Sequence, residues 1–87
     1  MLSKNVIEKE VLSVLKTEFN VNISMVNLQK ENVFGVKIGI LPRDYLNIIN
    51  IIEKKYLISI QGNDIQKYEL KTINQLVDLV FDKLKEG

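Results

Sequence analysis

Apolar residues recur at helical spacing in separate stretches of this chain, and the most sharply marked stretch runs from Gly39 to Tyr56. Setting successive residues about 100° apart puts Tyr45, Ile48, Ile49, Ile52 and Tyr56 on one side of a helix, with Leu46 and Ile51 at the two margins. The opposite side carries Arg43, Asn47, Asn50 and Lys54 as neighbours on successive turns. Pro42 suits the first turn, where a missing N–H has no intrahelical partner to lose and φ is already helical. Asp44 near the start and Lys54 and Lys55 near the end complement the helix dipole. The pattern predicts a central helix that buries its isoleucine face and shows the Arg43, Asn47, Asn50, Lys54 stripe to the outside.

The flanking stretches predict two further helices. Asn5 is placed to cap a helix near 5–19, with Glu8 three residues on as a capping-box variant. Ile7, Val11, Val14 and Leu15 fall on its inner face, and Leu12 and Phe19 lie beside it. At the other end Thr72 and Gln75 form a capping box, followed by Ile73, Leu76, Val77, Val80, Phe81 and Leu84 at i, i+3, i+4, i+7, i+8 and i+11. Lys83, Lys85 and Gly87 are stop signals. Between the first and central helices, Val21 to Met25 and Val36 to Ile40 alternate in the manner of strands. An ordered loop dropping apolar side chains into a core gives the same alternation, and the breakers Gly35 and Gly39 favour it. After the central helix, Tyr56 to Ile60 is apolar and β-prone, Gln61 to Asp64 marks a turn, and a short helical turn fits Ile65 to Tyr68.

Length and composition bound the chemistry. At 87 residues the chain has room for a single domain with one modest core. Twelve basic and eleven acidic residues leave a net charge of +1, so neither nucleic acid nor an anionic membrane is an expected partner. Cysteine and histidine are absent, which removes disulfides, thiol nucleophiles, imidazole bases and the usual zinc ligands. The carboxylates Glu8, Glu10, Asp44, Glu53, Glu69, Asp78 and Asp82 occupy solvated helix positions, without the pocket that an acid–base pair needs. No catalytic residue and no metal site are expected. The N-terminal stretch lacks the apolar core of a signal peptide and no apolar run would span a bilayer, so the expected location is cytoplasmic.

Taken in order, helix, long loop, central helix starting just after a glycine, aromatic-aliphatic exit, short turn and Lys-Thr-Ile opening a last helix, the chain resembles an acyl carrier protein over nearly its whole length. Val33-Phe34-Gly35 falls where that family has its Phe, and Ile38-Gly39-Ile40 matches the Asp-Leu-Gly turn. Tyr56-Leu57-Ile58-Ser59-Ile60 resembles the family's Phe-Gly-Ile-x-Ile, and Lys71 to Val77 resembles its Lys-Thr-Val-x-Asp-Leu-Val. The resemblance implies an all-α, acyl-carrier-like four-helix bundle: three main helices, one short helix, and a long loop between the first and second.

The family's signature is Asp-Ser-Leu at the head of the central helix, where the serine carries a phosphopantetheine arm. This chain has Leu41-Pro42-Arg43 there. Proline has no hydroxyl, so no phosphodiester can form, and Ser3, Ser13, Ser24 and Ser59 lie outside any such motif. The chain therefore looks like a serine-less acyl-carrier-related protein of bacterial peptide-maturation systems, with no phosphopantetheine expected.

By the family's habit of docking through its central helix, the stripe of Arg43, Asn47, Asn50 and Lys54 becomes the expected partner surface, against a bland reading as a solvated helix side. Ile51 and Leu46 are its apolar margins, where partner contact competes with internal packing. Two cations, two amides and no carboxylate call for a partner, such as a pathway enzyme, with a neutral or acidic patch. Two other readings stay open: a carrier that holds an acyl or peptidyl group without the Pro42 position, and an unrelated α+β interaction module built on the alternating stretches.

Overall fold

A computed structural model describes residues 3–20, 30, 32–35 and 38–86. Four helices follow one another: α1 Lys4–Phe19, α2 Pro42–Tyr56, α3 Gly62–Tyr68 and α4 Ile73–Glu86. Among the described residues the β structure is limited to an isolated antiparallel bridge between Asn32 and Thr72, so these residues form a helical bundle and carry no α+β module. The alternating Val21 to Met25 lies outside the described residues, as do Val36 and Lys37.

The cap of α1 lies two residues earlier than its sequence suggests. Ser3, not Asn5, is the N-cap: its hydroxyl accepts the Val6 N–H at 3.3 Å, and Asn5 sits exposed inside the first turn. Lys4, thereby helical, pairs with Asp78 of α4 at 3.0 Å and lies 5.3 Å above the Phe81 ring. At the other end Asn20 adopts the left-handed conformation (φ 58) that asparagine tolerates better than most residues, and its N–H returns to the Leu15 and Lys16 carbonyls.

α2 starts on Pro42, which the sequence puts in the first turn, and buries Tyr45, Ile48, Ile49 and Ile52. Its C-terminus closes through Glu53, whose backbone carbonyl accepts the Leu57 and Ile58 N–H groups and whose carboxylate accepts the Ile60 N–H at 2.8 Å. α3 extends the predicted turn back to Gly62, because Gln61 and Asp64 form a reciprocal capping box ahead of it. α4 opens on the predicted box: the Gln75 N–H reaches the Thr72 hydroxyl at 3.2 Å, and the Gln75 side chain accepts the Thr72 N–H at 3.0 Å.

The core gathers Ile7, Val11 and Leu15 of α1, the inner face of α2, and Ile73, Leu76, Val77, Leu79 and Val80 of α4, with no buried polar or charged residue among those described. α4 is the centre: α1 packs most extensively on it, and α3 lies on its other side. Two expectations for α4 are corrected. Leu79 is fully buried although it falls outside the predicted stripe, and Phe81 is only half-buried although it falls within it. α3 grips α4 through the Tyr68–Asp82 hydrogen bond and the Asp64–Lys83 ion pair, and these positions bracket the side of the helix that carries Leu79. The buried arc shifts toward α3 and away from Phe81, whose ring is flanked by Lys4 and Lys85.

Candidate functional site at the head of the central helix

The segment leading into α2 is fixed by backbone geometry. The Val33 N–H donates to the Lys71 carbonyl at 2.7 Å, and the Ile40 N–H donates to the Val33 carbonyl at 2.9 Å. Between them Gly39 turns at φ 69, a conformation that a side chain would strain, and its N–H donates to the Gly35 carbonyl. Leu41 then occupies the N-cap position in extended conformation with no side-chain cap, leaving the first amides of α2 without the oxygen that Ser, Asp or Asn would bring. Pro42 follows as the first helical residue, so Leu41-Pro42-Arg43 spans the start of the central helix.

All four stripe residues, Arg43, Asn47, Asn50 and Lys54, are exposed. Among the described residues neither cation has an ion-pair partner, whereas Lys4, Lys55 and Lys83 pair with Asp78, Glu10 and Asp64. The margins differ. Ile51 is half-buried on one flank. Leu46, on the other, is 58% exposed, which overturns packing for that residue. On this flank Pro42 and Leu46, one turn apart, stand exposed beside an open cleft whose floor includes the buried Ile49.

That cleft, about 260 Å³, is the part of the site that sequence reasoning missed. Phe34 of the preceding loop, Pro42, Tyr45 and Leu46 of α2, and Ile65 of α3 form its apolar walls. Glu69 is its one charged wall among the described residues. Phe34 meets Tyr45 edge to face, centroids 5.2 Å apart and planes at 83°. Glu69 and Leu70 both have positive φ, 64 and 50, and the Glu69 carboxylate accepts the Gln75 side-chain amide at 3.2 Å. The Tyr45 hydroxyl is buried without a hydrogen-bond partner among the described residues, and burial pushes its pKa up. The Pro42–Leu46–Ile49 row was readable as a second apolar edge, but its companions come from distant positions.

No cluster of acidic side chains with metal-binding spacing occurs among the described residues, and no helix there is long and apolar enough to cross a membrane. No family model matches the chain, and no curated protein or solved structure matches it.

Proposed function

We propose that the chain is an acyl-carrier-related protein that has lost its phosphopantetheine attachment residue and works by protein contact, as an interaction or scaffold component of a bacterial peptide-maturation or natural-product pathway. In this reading it is a cytoplasmic protein, holds no phosphopantetheine and catalyses no reaction itself. The carrying observation is the position of Pro42 as first residue of the central helix, where the resemblance puts the modified serine. Two backbone features support the same register. Gly39 has positive φ at the family's Asp-Leu-Gly glycine, and Leu57 has φ 56 where the family's Phe-Gly-Ile has a glycine. A leucine held in that conformation costs about 1–2 kcal/mol, so the turn is set by its surroundings and not by its own preference.

Contact through α2 is supported by its exposed stripe, whose cations have no ion-pair partner among the described residues, which suits a neutral or acidic patch and disfavours a basic one. Incubation with coenzyme A and a broad-specificity phosphopantetheinyl transferase tests the first half: the intact mass should stay unchanged. A gain of one phosphopantetheine arm would refute the proposal. Pro42→Ser alone should be loaded poorly, since Leu41 and Arg43 also depart from the signature.

A further inference from the structure

We infer that the cleft at the head of α2 is the anchor pocket of this interface, and that it takes one large apolar side chain from an acidic segment of a partner protein. This rests on reading α2 as a docking helix and adds the occupant's chemistry. The cleft and the cationic stripe share an edge. Leu46 lies one turn beyond Arg43 and one turn before Asn50, so a side chain entering between Phe34, Leu46 and Ile65 brings its neighbours across the stripe.

Size selects the occupant. Pockets for drug-sized ligands run from about 300 to 1,000 Å³, and 260 Å³ is below that range, which suits a single side chain. The rim supplies the apolar surface for such an anchor: Phe34, Leu46 and Ile65 are 41%, 58% and 39% exposed. Anchors of this kind, set in a pocket and ringed by polar groups, dominate binding energy at interfaces.

Charge selects the neighbours and their direction. Arg43 and Lys54 are unpaired among the described residues and the stripe carries no carboxylate, so acidic groups are attracted to the α2 side of the cleft. Glu69 stands on another wall, tethered by Gln75, and repels them there. An acidic segment is thus oriented with its carboxylates over α2 and its anchor pointing toward α3.

Selection of random linear peptides displayed on phage against the intact protein tests this. Enriched sequences should join a large apolar residue to Asp or Glu. A synthetic peptide of the winning sequence should lose roughly tenfold or more in affinity on Leu46→Asn or Ile65→Asn. The reversal of Arg43 and Lys54 to Glu should weaken the same peptide, and binding should fall with salt. These positions are exposed, and far-UV circular dichroism verifies that each variant keeps its fold. Absence of enrichment, or enrichment of basic sequences, overturns the inference. If charge reversal weakens the peptide while both cleft variants bind it unchanged, the docking stripe stands and the anchor pocket falls. If only the cleft variants matter, the acidic partner falls.

Discussion

Helices α2 and α4 both bury a face of branched apolar residues, yet they treat the rest of their circumference differently. α4 begins on a reciprocal capping box and is covered by α1 on one side and α3 on the other, so its buried arc shifts to take in Leu79. α2 begins on Leu41, which caps nothing, and leaves Leu46 exposed beside a cationic stripe. The difference teaches that an apolar period secures one face of a helix only. What becomes of the margins depends on which neighbours arrive, and at α2 the uncovered margin and the missing cap occur together at the candidate site.

The largest expected effect separates the two helices directly. Leu79→Ala should lower stability by about 2–5 kcal/mol in urea melts, because it opens a cavity in the core. Leu46→Ala should stay within about 0.5 kcal/mol of the parent. Similar losses at both positions would break the comparison. Next is Phe81→Ala at about 2 kcal/mol, some half of the usual cost for a fully buried ring, because the ring is part-exposed beneath Lys4 and Lys85. A loss near 5 kcal/mol would mean that α4 is covered on that side as well.

Smaller effects sharpen the α2 end. Leu41→Asp should stabilise the protein by about 1 kcal/mol, supplying both the missing cap and a negative charge at the helix start. No gain in melting temperature would show that the first amides of α2 are already satisfied. Leu57→Gly should stabilise by somewhat under about 1 kcal/mol, because relief of the left-handed strain exceeds the entropy that glycine adds to the unfolded chain.

The smallest effect concerns pH. The Asp64 carboxylate accepts the Gln61 N–H and pairs with Lys83, both at 2.9 Å, which holds its folded pKa below the ordinary carboxylate value. A group with a depressed folded pKa stabilises the fold above its unfolded value, and that contribution is lost as pH falls below about 4. Asp64→Asn should therefore flatten the stability profile in acid and leave the slope at neutral pH unchanged. An unaltered acid limb would show that this α3–α4 contact is not formed in solution.

Much of the bundle is legible in the sequence. The place of Pro42 in the first turn of α2, its Tyr45, Ile48, Ile49, Ile52 face and the Thr72–Gln75 box all follow from spacing and capping chemistry. These are properties of residues within a turn or two of each other. Ser3 was missed because Ser3 and Asn5 both have capping side chains, and the choice between them goes with Lys4 meeting Asp78 and Phe81 across the bundle. The cleft was missed because Phe34, Leu46 and Ile65 are separated along the chain and no periodicity relates them.

By itself the sequence determined where the three long helices run, the apolar stripe that centres each of them and the absence of cysteine and histidine chemistry, because helical period and side-chain inventory are local properties. The tertiary structure alone decided that Leu79 goes inside, that Phe81 stays half out, and that Leu46 borders a cleft. Those outcomes turn on how α3 and the Phe34 loop approach the two long helices. Burial at a helix margin depends on the distance to the next element, and that distance is fixed only when the whole chain packs.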